Sequence, residues 1–379
     1  MTRPERPERP QRPLKIGIAC YPTYGGSGIL ATELGIALAE RGHEVHVFSY
    51  AEPPRLQGVT LVHFHLVQVA AYPLFRYPPY DLALTSKMLE LMRSRDLDII
   101  HAHYAIPHAM CAYLAKQMCP ESHTRIVTTL HGTDITVVGS DESYRDVTRF
   151  AIEQSDAVLA VSRFLADETR RLFATDKPIH VAYNFVDTDR FVPVERSGLA
   201  LPTLVHVSNF RSVKRPADVI KAFAILRKTL PAHLVLAGEG PELGPCLALA
   251  RELGLSADVS ALGARLDVER VLADCHVLLQ PSGSEAFGLA ALEAMSCGVP
   301  VVGYRVGGLP EVVDDGVSGF LVPFGDVERL AARSIELLTD EPRRLRFGAA
   351  ARAKAVSAFT VDSSVDLHER IYRQCLGLG

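Results

Sequence analysis

The sequence predicts an α/β protein built of two doubly wound, mostly parallel sheets. Three observations predict it. The chain has 379 residues, too many for one ordinary core and suited to two. Short apolar runs alternate with stretches of helical spacing, the pattern of strands buried on both faces and covered by helices. The alternation breaks once, in a polar stretch with Gly and Pro at about 188–202, and then restarts.

The first half opens with a strand at 14–20, then Gly25-Gly26-Ser27-Gly28 and a helix over 29–41, which Gly42 ends. Further strands are expected at 44–49, 59–67, 97–101, 125–130, 157–161 and 179–183, with His63 and His65 on one face of the third. Helices are expected at 82–95, 107–117, 143–154 and 163–173. After the break, strands are expected at 203–207, 233–237, 259–262, 277–280 and 299–302, and helices at 217–228, 242–253, 268–272, 287–296 and 327–338. Two or three more helices fill 341–378. The halves share a style without a residue repeat. Such sheets carry ligands at the carboxyl ends of their strands, and a crevice shared by two of them is the expected place for chemistry.

Composition narrows the function. The apolar share of 48% is that of a globular chain, and a net charge of −4 gives no surface for coating nucleic acid or anionic lipid. No apolar run is long enough to span a bilayer. The opening MTRPERPERPQRP lacks the apolar stretch of a secretory signal and reads as a disordered tail over 1–13. Seven cysteines, odd in number and without a CxxC pair, suit reduced thiols and a cytoplasmic location.

Five stretches carry possible chemistry. Tyr21-Pro-Thr-Tyr-Gly-Gly-Ser-Gly28 sits between strand and helix, where glycines admit a ligand to the backbone and the helix start attracts an anion. A tight strand-to-helix turn explains it equally well. His101-Ala-His-Tyr104, with Pro107-His108 beyond, invites a metal reading. His101 and His103 are expected to bracket a strand end with no carboxylate near, so His101 is read as structural and Tyr104 as the residue placed to touch a ligand. Thr128-Thr-Leu-His-Gly-Thr-Asp134 puts His131 after a strand. Its alternative is a capping turn started by Thr133 or Asp134.

Ser208-Asn-Phe-Arg211-Ser-Val-Lys214-Arg215-Pro216 gathers three cations at a helix start. They oppose the helix dipole unless an anion binds there, and a phosphate-bearing ligand explains them better than a solvated patch. Glu285-Ala-Phe-Gly-Leu-Ala-Ala-Leu-Glu293 follows a strand and enters an apolar helix. Ribose hydroxyls would partner Glu293, and free N–H groups near Phe287, Gly288 and Leu289 would hold a diphosphate. A buried ion pair is the competing account of Glu293. Asp187-Thr-Asp189 is read as turn chemistry rather than as a metal-binding DxD, with Asn184 nearer a donor.

Together, the Glu-x7-Glu pattern of Glu285 and Glu293, the Gly-Gly loop and the Arg211/Lys214 pair resemble the retaining family-4 glycosyltransferases of the GT-B fold, from Lys15 to near the end of the chain. CYPTYGGSGILATELG, HAHYAIPHA, TTLHGTDIT, SNFRSVKR and EAFGLAALEAMSCGVP resemble the branch of that family that serves bacillithiol synthesis. The resemblance implies transfer of GlcNAc from UDP-GlcNAc to the hydroxyl of L-malate, with no cofactor and no metal, by a homodimer. It implies an acceptor domain over 14–190, a nucleotide-sugar domain over 203–358, and a terminal helix in 359–379 returning to the first.

Residue by residue, it implies that Arg211 and Lys214 hold the diphosphate, opposed by the Gly25–Gly26 loop amide. Glu293 holds the ribose. Glu285 and His131 face the sugar from two sides, and these two with Arg211 and Lys214 form the catalytic set. Asn184, Ser208, Asn209, Arg215 and the Phe287–Leu289 amides complete the donor site. Ser27, Tyr104, Thr129 and Arg149 line the malate pocket. The basic loop departs from the family's common Gly-Arg…Glu-Lys-Gly spelling, which leaves the second phosphate ligand open between Lys214 and Arg215. Three rivals remain at this point: a family-4 transferase with an inositol phosphate, sugar or lipid-linked acceptor, a two-lobed binding protein, and an epimerase of UDP-GlcNAc.

Overall fold

The computed structural model describes residues 12–23, 26–71, 73–194 and 201–378. Two compact units emerge. The first takes the chain up to Leu159, then Arg170–His180 and the segment from His368; the second takes Ala160–Thr169 and Val181–Leu367.

In the first unit the strands are β1 (Lys15–Ala19), β2 (Glu44–Ser49), β3 (Val62–Leu66), β4 (Ile99–His103), β5 (Arg125–Leu130), β6 (Ala157–Ala160) and β7 (Ile179–Val181). They form one sheet in the order β3-β2-β1-β4-β5-β6-β7, and the pairs from β3 to β5 are parallel. The helices between them are α1 (Gly26–Glu40), α2 (Tyr80–Arg95), α3 (Met110–Gln117) and α4 (Glu142–Gln154), and α5 (Arg163–Phe173) has its residues up to Thr169 in the second unit and the rest in the first. The strands are buried on both faces, with Ile16, Ile18, Val45, Val47, Ile99 and Ile100 wholly out of solvent. That double burial is why they read as continuous apolar runs.

The second unit adds β8 (Thr203–Val207), β9 (His233–Ala237), β10 (Val259–Gly263), β11 (Val277–Gln280), β12 (Val301–Tyr304) and β13 (Gly319–Val322). They form a six-stranded sheet in the order β10-β9-β8-β11-β12-β13, parallel throughout. Its helices are α6 (Pro216–Arg227), α7 (Leu243–Glu252), α8 (Val268–Ala273), α9 (Leu289–Ser296), α10 (Leu309–Val312), α11 (Val327–Thr339) and α12 (Glu341–Ala358), and α13 (Val361–Cys375) carries the chain on into the segment counted with the first unit. The α6 face of Val219, Ile220, Phe223 and Leu226 is sealed into the core against Leu234, Leu236 and Tyr304. Each such side chain contributes about 1.5–3 kcal/mol, so Phe223→Ala would cost about 3–5 kcal/mol.

Both sheets reverse strand order once, at β1/β4 and at β8/β11. In doubly wound sheets that reversal marks where ligands bind. The loops that leave β1, β4, β8 and β11 are the ones that carry most of the motifs.

Several elements differ from the sequence expectation. Strand β4 runs two residues later than 97–101, so His101 and His103 lie inside it and are buried, rather than bracketing its end. Helix α1 begins at Gly26 instead of 29, because Gly28 has no side chain to obstruct the turn: a Cβ there would stand 2.5 Å from the Tyr21 carbonyl oxygen. Strand β13 and helix α10 were not anticipated. Gly319 opens β13 because the Val301 carbonyl lies 2.3 Å from where its Cβ would be, and a strand led by glycine carries little β signal. The expected tail at 1–13 and linker at 188–202 fall partly on residues 1–11 and 195–200, which lie outside the described residues. Arg12 is held, with Nη1 3.1 Å from Oδ2 of buried Asp98.

Candidate active site

In the first unit the site residues gather on the loops after β1, β4 and β5. Ser27 Oγ and the Tyr104 hydroxyl are 2.8 Å apart, so two of the four expected acceptor residues meet. Tyr104 holds φ +97, a strained value for a non-glycine residue of the kind that clusters at ligand sites. Its ring lies edge-on to Tyr21, 5.3 Å between centroids. The other two engage different partners. Thr129 is buried, with Oγ1 2.7 Å from Nε2 of His101. Arg149, on α4, spends its guanidinium on Glu153 one turn along, at 2.9 Å. Gly25 lies outside the described residues, and Gly26 forms the start of α1.

His131 is the half-buried end of a histidine cluster. Its Nε2 lies 2.8 Å from Nδ1 of His103, with the rings stacked. Burial lowers the His131 pKa to about 3 and holds His101 and His103 well below the usual imidazole range. All three rings are therefore neutral near pH 7. The loop under His131 is organised by Asp134. Its Oδ1 accepts the N–H of His131 at 3.1 Å and of Gly132 at 2.9 Å, and its Oδ2 accepts the N–H of Ala105 at 3.2 Å. Asp134 thus starts the next helical turn as weighed for this motif, but no side chain caps that turn; its carboxylate instead ties the loop before it and fixes His131. Burial outweighs those donors and pushes the Asp134 carboxyl up to about 6.

In the second unit, Lys214 Nζ lies 2.7 Å from Oε2 of Glu285, an ion pair that reaches from the loop after β8 to the loop after β11. Arg211 stands next to it on the loop after β8. Its guanidinium makes no hydrogen bond or ion pair among the described residues. Arg215 opens α6 with φ +48, but its side chain is committed: Nε is 2.6 Å from Asp218 and the guanidinium lies over the Phe324 ring. Ser208 is also spent locally. His206 donates Nδ1–H to the Leu279 carbonyl, so its bare Nε2 takes the Ser208 hydroxyl proton at 2.9 Å while Phe210 N–H donates to the same oxygen. Asn209 is exposed and Asn184 half-buried.

Beyond β11, Gly288 caps α9 with φ +106, and the first-turn amides from Leu289 onward have no acceptor within the helix. The Phe287 side chain is buried against Tyr183 and Phe359, leaving only its backbone to a ligand. Glu293 is half-buried on α9 and has a partner within the protein. Asp187 Oδ1 accepts the N–H of Asp189 and of Arg190, both at 3.0 Å, which is the turn role expected of that pair. Among the described residues no group of three or more His, Cys, Asp or Glu is placed to hold a metal ion, and no helix is long and apolar enough to cross a membrane.

Three further residues, outside the motifs, support this site. Gln280, the last residue of β11, donates Nε2–H to Glu285 Oε2 at 2.9 Å. A polar residue ending an otherwise apolar strand was the available signal. Gly240, at φ +157, brings its loop against Asn209, whose carbonyl oxygen lies 2.0 Å from where a Cβ would stand. Gly307, at φ +55, does the same for the Glu285 carbonyl, again at 2.0 Å. Both glycines closely follow strands, in Gly-Glu-Gly-Pro and Gly-Gly stretches that were the available signal.

Known proteins resemble this chain along nearly all of its length. Residues 24–190 match the model of Glycosyltransferase Family 4, and residues 188–354 that of Glycosyl transferases group 1. The chain is 47% identical over 372 residues to the N-acetyl-alpha-D-glucosaminyl L-malate synthase of Bacillus anthracis, covering 96% of this chain and 97% of that one. It is 31% identical to the D-inositol 3-phosphate glycosyltransferase of Mycobacterium avium, over 93% of this chain and 89% of that one. Its fold matches sucrose-phosphate synthase of Thermosynechococcus elongatus with a TM-score of 0.83, at 21% identity, over 97% of this chain and all of the other. With both halves matched and a relative this similar from end to end, the chain belongs to the family-4 glycosyltransferases of the GT-B fold.

Proposed function

We propose that this chain transfers GlcNAc from UDP-GlcNAc to the hydroxyl of L-malate with retention, giving GlcNAc-α-malate and UDP, the opening reaction of bacillithiol synthesis. The observation that carries the donor side is the unpartnered Arg211 beside the Lys214–Glu285 pair at the strand-order reversal of the second sheet. Fixed cations there match a departing diphosphate. The choice of acceptor rests on the 47% identity to a protein named for GlcNAc and malate.

On this reading the second unit takes the nucleotide sugar and the first takes malate. Arg211, Lys214 and the α9 amides stabilise the charge that grows on the diphosphate as the bond from C1 to its oxygen lengthens, an effect larger in the transition state than in the ground state. Lys214 is the second phosphate ligand, because Arg215 is already bound to Asp218. Glu285 gives up part of Lys214 to the diphosphate and receives sugar hydroxyls. The malate hydroxyl oxygen bonds to C1 on the face the diphosphate leaves, and its proton passes to the departing phosphate oxygen. Ser27 and Tyr104 receive the acceptor.

The test is UDP release by the purified protein from UDP-GlcNAc, with L-malate, with D-inositol 3-phosphate and with neither. UDP that depends on malate is expected. Release with the inositol phosphate alone would replace the acceptor assignment, and a β-anomer in the proton spectrum of the first product would overturn retention.

A further inference from the structure

We propose that His103 is a positioning residue that locks His131 in its Nδ1–H tautomer, so that His131 meets the substrate as a hydrogen-bond donor and not as a base. This rests on the reading of His131 as a sugar-facing residue.

The geometry leaves one consistent arrangement of protons. His103 Nδ1 and His131 Nε2 are 2.8 Å apart, and between two neutral rings a single proton fills that gap. If His131 supplied it, His103 would carry its own proton on Nε2. That atom is buried and has no partner, so an N–H would be stranded out of water. If His103 supplies the proton from Nδ1, the stranded atom is a bare lone pair. Orphaned buried N–H groups are rarer and costlier than under-used acceptors. The neighbouring ring follows the same rule: His108 Nδ1 bonds the His103 carbonyl and must donate, which leaves a bare Nε2 that is also buried without a partner.

Turning the His103 ring over would forfeit its hydrogen bond to His131, and its setting is fixed by a held neighbour. It packs 4.3 Å from the ring of His101, which is itself held by Thr129 at 2.7 Å and by the Tyr372 hydroxyl at 2.7 Å. With Nε2 of His131 occupied by the His103 proton, the proton of His131 itself sits on Nδ1, which makes no hydrogen bond to the described protein. A partner that sets the tautomer of an active-site imidazole in this way governs what the ring can do. Here it leaves the malate proton to the departing phosphate.

The experiment is two-bond 15N–1H spectroscopy of the full chain with labelled histidine, with the His131 signals identified by their loss in His131→Asn. Pyridine-like Nε2 and pyrrole-like Nδ1 are expected for His131. In His103→Leu the preference is expected to collapse and kcat for sugar transfer to fall about tenfold, the worth of one ordered hydrogen bond. His103→Asn, which keeps an N–H at the Nδ1 position, is expected to restore both. Protonated Nε2 in the unaltered protein would overturn the proposal, as would an unchanged tautomer in His103→Leu, or a changed tautomer with undiminished kcat. The spectra need no substrate, so they stand or fall separately from the UDP-release assay. If His103→Leu does not fold, the unaltered chain and His103→Asn still decide the point.

Discussion

Lys214 and Glu285 form a 2.7 Å ion pair that is largely withdrawn from water, with Gln280 on the same carboxylate oxygen. Each charge satisfies the other, whereas Arg211 alongside is satisfied by nothing in the protein described. The two cations of one loop therefore answer differently to substitution.

Arg211→Ala is expected to lower kcat/KM by roughly a hundred- to a thousandfold, the usual loss for one preorganised donor. Because Arg211 bonds nothing internally, the stability of the variant is expected to stay within about 0.5 kcal/mol of the parent. Lys214→Ala is expected to cost activity on the same scale and also about 2 kcal/mol of stability, since Glu285 loses its counter-charge. Steady-state kinetics and urea unfolding of both variants separate the two; equal stability losses would contradict the assignment.

Gly307→Ala is expected to damage catalysis from outside the site. The new methyl meets the Glu285 carbonyl and φ +55 strains any side chain there. About 1–3 kcal/mol of backbone strain follows, and relief comes by moving Glu285. A variant with normal kcat/KM and normal melting would show that this contact does not position the carboxylate.

The acid stability of the first unit is set by opposing groups. His101, His103, His108 and His131 are held neutral by burial, far below the ordinary imidazole range. In the unfolded chain each takes a proton below pH about 6.5, so their contribution is present above that pH and lost as pH falls. Asp134 acts the other way: with its carboxyl raised to about 6, its contribution is present below pH about 4 and lost as pH rises through about 6. Near pH 5 unfolding takes up four protons at the rings and releases one at Asp134, a net uptake of about three. Urea midpoints are expected to fall steeply from pH 6.5 to 5, and more steeply in Asp134→Asn. A flat profile would mean that the rings are charged in the folded protein.

Tyr372→Phe leaves the His101 Nδ1 without its buried partner. A loss of about 1–2 kcal/mol is expected, read as a lower urea midpoint with an unchanged slope.

The sequence made the repeating strand–helix order legible because parallel strands buried on both faces read as unbroken apolar runs. Val277–Gln280 and His233–Ala237, each with a single polar end residue, were placed to the residue for that reason. The basic loop and the Glu285 segment were legible because cations at a helix start and a carboxylate in an apolar stretch both demand a partner. What stayed hidden is pairwise and distant. Asp218, three positions beyond Arg215, was a local signal that the arginine is occupied, but nothing near Arg215 points to Phe324 over its guanidinium or to Glu285 as the partner of Lys214. Nothing around His131 points to His103, 28 positions away. Gly319 concealed β13 because close approach to β12 requires a residue that local propensity counts against a strand.

The Tyr372–His101 bond joins groups 271 positions apart. On a ribosome, the histidine cluster of the first unit is made early, yet the hydroxyl that completes it emerges only with the last turn of α13. Until then those rings have an unfilled neighbour, and the unit waits, nearly built, for a helix made 271 positions after its central strand.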